Sequence, residues 1–328
     1  MAARTQTLAN ASSDSPFETH RRELTGYCYR MLGSGFEAED AVQETMVRAW
    51  RNADDLESPA ATRSWLYRIA TNVCLDMLKA SQRRARPMDL MSPQAADAPV
   101  PEVTAENLWL QPVADSRVLP TSGDPAELAA EKESIRLAFV AALQHLPARQ
   151  RAVLILREVL RWQASEVAEL LDTSVASVNR ALQRARATID ELNLDEATHP
   201  SAVDDEKAQE LLAQYMDAFE RYDISSLVGL LADDVRFSMP PFPMWLQGPV
   251  EVENWMLGNG IGCKDSKVVS TWANGSPVVA NYKPDGKGGY QPWAAAVLEI
   301  SGDKIVGVHN FIGDRVFTSL GLPLQPES

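Results

Sequence analysis

Four side chains near the middle of the 328-residue chain share one surface suited to hydrogen bonding with a polymer of bases. Within "LDTSVASVNRALQRARATI", Val175, Val178, Leu182, Ala185 and Ile189 recur at spacings of three and four. That predicts a helix with those residues facing a core. Asn179, Arg180, Gln183 and Arg184 then fall on the outward rows, with Ser177 beside them. Arg, Asn and Gln are the side chains that pair bidentately with guanine and adenine edges in a DNA major groove. Ala176 and Ser177 are small, so the backbone at the helix start can approach a groove closely. Just before, "QASEVAELLDTS" predicts another amphipathic helix and a tight turn, with Thr173 or Ser174 as cap. The two helices make a helix-turn-helix pattern. A solvated face on a plain helical hairpin would look similar; the tight turn and the acid-free outer face favour nucleic acid.

A second set of candidates lies in the last third of the chain. Asp234, Arg236, His309 and Asp314 are types that serve as general acids or bases in a pocket. Trp245, Trp255, Trp272, Trp293, Phe237 and Phe311 could wall it. Each has a plainer reading. Asp233-Asp234 suits a turn at a strand start, His309 a hydrogen-bonded core, and the aromatics ordinary packing. The plainer readings weigh more, so the expectation is a chain that is not an enzyme. Cys28, Cys74 and Cys263 are far apart and show no zinc-site spacing, so neither metal nor cofactor is expected.

Charge constrains how DNA could be met. The formal net charge is −14. Residues 1–200 hold 22 Lys and Arg against 28 Asp and Glu, and the remainder hold 9 against 17. Free duplex should repel so acidic a molecule, because affinity for DNA comes largely from neutralised phosphates. Binding must use local basic patches, or a partner that supplies the rest. No apolar run approaches the roughly 20 residues of a membrane span. The polar N-terminus lacks a signal-peptide core, so a reduced, cytoplasmic protein is expected.

The elements that must position these residues follow from periodicity. Residues 1–15 are polar and expected to be disordered. Residues 16–86 read as several helices, including "EAEDAVQETMVRAWRN", whose acids open it and whose arginines close it. Residues 87–126 are rich in Pro, Ala, Asp and Ser, with "LWLQPVAD" as an apolar island, and read as an interdomain linker. Helices resume over 127–195, and a short linker covers about 195–203. Over 204–328 helices give way to β-type segments separated by Asn274-Gly275, Asp285-Gly286 and Gly302-Asp303 turns, which argues an α+β domain.

The ordered set of motifs resembles the extracytoplasmic-function (ECF, group IV) sigma factors of bacterial RNA polymerase. Glu39-Asp40-Ala41-Val42-Gln43-Glu44-Thr45-Met46 is similar to the family's region 2.2, with Met46 where Phe is more usual. Trp65, Leu66, Ile69, Ala70 and Asn72 match the Trp-Leu-x-x-Ile-Ala-x-Asn string of regions 2.3–2.4. "LPARQRAVLILREVLRWQASEVAELLDTSVASVNRALQRAR" looks like region 4. The final third, which most members lack, resembles the SnoaL-like, NTF2-fold family, a cone-shaped α+β domain enclosing a pocket. The implied fold is multidomain: all-α region 2 and region 4 modules, then the SnoaL-like domain.

The resemblance implies roles. Asp40, Gln43, Glu44 and Arg48 would dock on the clamp helices of the polymerase largest subunit, and region 4 on the polymerase flap. Trp65, Tyr67, Arg68 and Asn72 would hold bases of the −10 element, although Trp65 and Ile69 also suit a core. Lys79, Arg83 and Arg84 would meet phosphates. Ser177, Asn179, Arg180, Gln183 and Arg184 would read the −35 element. The linker would thread along polymerase channels. The C-terminal domain would regulate, as a protein-contacting brace or as a sensor binding a small ligand near Asp234, Arg236, Trp245, Trp255, Trp293 and His309. Two rival readings are a SnoaL-like enzyme carrying a helical DNA-targeting module, and a conventional repressor that binds DNA without polymerase.

Overall fold

The structure, a computed structural model, describes residues 16–56, 58–79, 83–192 and 205–326. The expected disordered N-terminus and the short linker at 195–203 lie outside the described residues. Three helices, α1 (Arg21–Leu32), α2 (Gly35–Arg51) and α3 (Thr62–Lys79), form the first module. Helix α1 stops at Gly33, whose φ of 70° is left-handed and whose N–H closes on Tyr29 O at 2.8 Å. A side chain there would also meet Leu110. Ser34 then caps α2, accepting from Glu37 N–H at 3.3 Å. Leu24, Ala38, Ala41, Val42, Leu66 and Ala70 are all fully buried between the three helices.

The segment expected to be a free linker is packed at its apolar island and at a few further points, with exposed stretches between them. After the short helix α4 (Pro87–Leu90), it pairs with the first module, where Ala85 N–H bonds Leu108 O at 2.9 Å. Its apolar island is the reason. Trp109, Leu110, Val113 and Ala114 are each 2–3% exposed, which a solvated coil would not allow. One further turn, α5 (Asp115–Val118), leads to α6 (Pro125–Ile135), capped by Asp124.

The periodicity of "ESIRLAFVAALQHLP" predicts one helix. The structure breaks it at Arg136, whose ψ of 143° separates α6 from α7 (Leu137–Leu143). Helix α8 (Ala148–Leu154) runs into a π-helical turn at Ile155–Val159; α9 (Ala164–Leu170) and α10 (Val175–Glu191) follow as the helix-turn-helix. Asp172, at φ 48°, makes the turn between them, and Ser174 caps α10.

The last module opens with α11 (Asp205–Glu220) and α12 (Ile224–Gly229). It continues through β1 (Leu231–Ser238), β2 (Trp245–Gln247), α13 (Pro249–Leu257), β3 (Lys267–Ala273), β4 (Ser276–Pro284), β5 (Tyr290–Ser301), β6 (Lys304–Ile312) and α14 (Asp314–Ser319). The sheet order is β2-β1-β6-β5-β4-β3. The expected meander holds from β3 to β6, while β1 pairs parallel to β6. Side-chain alternation gives the sheet two apolar faces. The inner face, with Val235, Phe237, Val279, Ala296 and Leu298, packs under α11–α13. The outer face, with Val278, Ala280, Val297 and Phe311, packs on α14, Ala114 and Leu137.

The two helical modules share one continuous core. Tyr27, Leu66, Tyr67 and Val73 from the first cluster with Leu156, Trp162, Val167 and Leu182 from the second. Two buried arginines cross this boundary. Arg151 of α8 donates to Met31 O and to Gln144 Oε1, and Arg30 of α1 meets Ser134 Oγ at 3.1 Å and Glu131 at 2.6 Å. Burial lowers the pKa of both guanidiniums, that of Arg151 to about 10.

Candidate nucleic-acid interface

Helix α10 presents its predicted face to solvent. Asn179, Arg180, Gln183 and Arg184 are exposed, Ser177 is half-buried, and Val178, Leu182 and Ala185 are buried against α8 and α9. Asn179, Gln183 and Arg184 hydrogen-bond to nothing among the described residues, so their donors and acceptors are free for a ligand. Arg180 reaches Ser177 Oγ at 3.4 Å, and Ser177 Oγ lies 2.9 Å from the capping Ser174 Oγ, which orders the helix start. Arg186 is tied to Glu158 at 2.7 Å. One expectation is corrected. Val175, placed on the core face by spacing, is 44% exposed, because the chain enters α10 across the Asp172 turn before its buried row begins.

The residues expected at the −10 element are divided by the structure. Asn72, Lys79 and Arg83 are exposed. Lys79 pairs with Asp76 at 2.8 Å, and Arg83 contacts His145. Trp65 is half-buried against Phe17, with ring centroids 5.8 Å apart. Tyr67 is fully buried, between Tyr27 at 5.2 Å and Trp162 at 5.0 Å, and desolvation pushes its hydroxyl far above the ordinary range. Its spacing from Leu66, Ala70 and Cys74 put it on the buried side of α3, so it is not a surface for a flipped base in this arrangement. Arg84 is also corrected. It is 4% exposed, ion-paired with Glu37 and donating to Trp109 O at 2.8 Å, so no phosphate can reach it here.

Arg68, expected at the −10 element, is exposed and meets a partner that the sequence did not single out. Arg68 of α3 donates to Glu169 O of α9 at 3.3 Å and lies 3.7 Å from Glu169 Oε1. The Arg63 guanidinium sits 5.3 Å over Tyr67 and 5.4 Å over Trp162. Helix α3 therefore contacts α9, the first helix of the helix-turn-helix. No single-sequence signal carries such a pairing, because it joins surfaces about 100 positions apart.

On α2, Asp40 and Gln43 are exposed, while Glu44 and Arg48 pair at 2.7 Å. Gln43, Met46, Val47 and the 64%-exposed Trp50 line a groove of about 1420 Å³. Its other walls include Arg21, Arg22 and Thr25 of α1 and linker residues Arg117, Val118, Pro120 and Thr121. Arg117 closes onto Glu39 of α2.

The candidate pocket residues are not brought together. Across β5 and β6, Glu299 pairs with Gly307 and Val297 with His309, so His309 and Glu299 point from the outer face, away from the cone interior. His309 Nδ1 lies 2.9 Å from Ser238 Oγ, and Nε2 lies 3.1 Å from Glu299 Oε2. Burial would raise the Glu299 carboxyl. The His309 imidazole, with Arg86 and Arg136 nearby, outweighs burial and holds it at about 2. Arg236 pairs with Gly307 on that same outer side, and Asp234 is exposed. Trp245 donates to linker Met91 O at 2.8 Å; Trp293 lies under Lys283 Nζ at 3.5 Å. Of the six, Trp255 alone belongs to the inner cluster, together with the linker's Ala96.

Asn274 is the residue that joins all parts. In the β3–β4 turn, at φ 57°, its Nδ2 donates to Tyr29 Oη and to Ile135 O, both at 2.6 Å, and its Oδ1 accepts from Val113 N–H at 3.0 Å. Ile135 O is a carbonyl left over by the break at Arg136. Gly275 N–H bonds Asp115 Oδ1 at 2.9 Å. The left-handed Asn-Gly turn was legible as a turn; its insertion between three modules was not.

Comparison with known proteins agrees with this architecture. Residues 16–84 match the family model for Sigma-70 region 2, residues 136–189 that for Sigma-70 region 4, and residues 212–308 that for a SnoaL-like domain. The chain is 41% identical over 308 residues to the ECF RNA polymerase sigma factor SigG of Mycobacterium tuberculosis, covering 93% of this chain and 82% of that protein. It is 30% identical over 172 residues to the ECF RNA polymerase sigma factor SigW of Bacillus subtilis, covering 52% and 83%. The crystal structure of the extracytoplasmic function sigma factor SigJ of M. tuberculosis has the same fold. It matches with a TM-score of 0.61 at 23% identity, over 94% of this chain and 99% of that one. No helix among the described residues is long and apolar enough to cross a membrane. The chain belongs to the ECF sigma factors, which direct RNA polymerase to promoters, and it carries a C-terminal SnoaL-like domain.

Proposed function

We propose that this sigma factor reads the −35 element with Asn179, Arg180, Gln183 and Arg184, and the −10 element with Arg68, Asn72, Lys79 and Arg83. In this reading the polymerase clamp helices dock against Asp40, Gln43, Glu44, Arg48 and Trp50. Region 4 meets the flap. The described arrangement is closed, and the C-terminal domain holds it so. One observation carries this reading: the α10 face is free, while Arg63, Tyr67 and Arg68 of α3 are held by Trp162 and Glu169. Two promoter elements at separate sites on the duplex cannot both be read while their reading modules touch. Polymerase must therefore part them, and then keep both on the DNA as linked binding units. The closed boundary carries a cost that opening would relieve, since the buried Trp162 Nε1 finds no hydrogen-bond partner among the described residues.

The C-terminal domain is read as a brace rather than an enzyme or a ligand sensor. What supports this is that His309 is tied to Ser238 and Glu299 on the outer face, that Glu299 lies near Arg86 and Arg136 of the preceding segments, and that Phe237, Trp255 and Ala96 fill the inner side. The test is run-off transcription by core polymerase with the full chain and with Asn274→Ala. The reading expects initiation at a defined promoter set, with more product from the variant at limiting polymerase. Specific duplex binding without polymerase would support the repressor reading instead.

A further inference from the structure

Val175 is the first residue of α10 and an apolar side chain that is 44% exposed and joins no hydrophobic cluster among the described residues. Stability gives no reason for valine at this position. A β-branched residue is a weak helix former, and a first turn favours an acid beside the helix dipole. The first turn of α10 holds no acid. The residues around it are arranged for a groove. Ala176, also exposed, follows it, and Asn179 lies one turn along the same row. Ser174, Ser177 and Arg180 form the hydrogen-bonded chain that fixes the helix start.

An exposed methyl pair at the leading end of a recognition helix has one chemical counterpart in the major groove. Thymine alone among the four bases presents a methyl group there, and apolar side chains contact it. The leading residues of such a helix are those that reach base edges.

We infer that Val175 is a specificity-determining residue that contacts the 5-methyl group of a thymine in the −35 element, with Ala176 completing the apolar patch. The inference rests on α10 being the −35 reader. Val175 precedes Asn179 by four residues, roughly 6 Å along the helix axis. At about 3.4 Å per base step, the thymine falls within about two base pairs of the base that Asn179 contacts.

The test uses the full chain assembled with core polymerase, on the strongest promoter that the wild-type holoenzyme selects from a randomised library. Each −35 thymine is replaced in turn by deoxyuridine, which lacks only the methyl group. Wild type is expected to lose about three- to fivefold in initiation at one position, the scale of one buried methyl. Val175→Ala should show that loss already on the thymine template, and no further loss at that position. Its thermal midpoint should match wild type, since the side chain is exposed. Identical deoxyuridine profiles for wild type and variant would overturn the inference, as would a profile with no methyl-dependent position. Failure of the wild-type holoenzyme to initiate anywhere would instead overturn the reading of α10 on which it rests.

Discussion

Asn274 Nδ2 donates to the Tyr29 hydroxyl at 2.6 Å, across 245 positions of sequence. The contact is buried at both ends, so it links the C-terminal sheet to the first helical module inside the protein rather than on its rim. The same amide also takes up Ile135 O at the helix break, so one side chain satisfies polar groups of both modules.

Asn274→Ala should therefore lower stability by about 1–3 kcal/mol, because it strands buried acceptors and donors. Chemical denaturation reads the midpoint. Limited proteolysis should show faster cleavage between the modules than in wild type. An unchanged midpoint would mean that the turn adds little to the assembly.

Arg184→Ala should weaken −35 recognition by ~1–3 kcal/mol and relax selectivity at one base position. Its exposure means that stability should stay within about 0.5 kcal/mol of wild type. Competition between promoters carrying single −35 substitutions measures this. Unaltered selectivity would remove Arg184 from the reading set.

Lys79 and Arg84 should separate cleanly. Lys79→Ala should leave the fold intact and reduce the slope of log affinity against log salt by about 0.9, the value for one lost phosphate contact. Arg84→Ala should instead destabilise the protein, since it strands Glu37 and Trp109 O, while holoenzyme that remains folded keeps its salt slope. Salt titrations of promoter binding, paired with melting curves, distinguish the two.

Acid should unlock the sheet face. The Glu299 carboxyl is held near 2 in the folded chain against an ordinary 4.5. Its contribution is complete above the unfolded value and fades as pH falls from about 4.5 towards 2. Over that window it amounts to about 3 kcal/mol. Glu299→Gln should flatten the fall of the melting temperature between pH 5 and pH 2. An equally steep fall in the variant would assign acid sensitivity elsewhere.

Much of this architecture was legible in the chain because its signals are local. The α10 periodicity, the Ser174 cap and the Asn274-Gly275 turn are all written within a few residues. What was not legible depends on contacts between distant segments. The island Leu108–Val113 could be read as apolar, but its burial against Gly33 and Ala85 comes from tertiary packing. Tyr67 carries a base-stacking chemistry that the neighbouring Trp162 has taken. His309 and Glu299 sit on the outer face because of strand register, and a one-residue shift would have turned them inward.

The proposed function requires the closed contact between α3 and α9 to open on polymerase. Placing cysteines at Arg68 and Glu169, on a Cys263→Ser background that leaves the buried Cys28 and Cys74 in place, allows that contact to be locked by a short bismaleimide. Run-off transcription with core polymerase then compares locked and unlocked protein. The locked form should lose most of the promoter-specific initiation shown by the unlocked double variant, whose own level, lowered by the loss of Arg68, is the reference. Equal initiation by both forms would contradict the account.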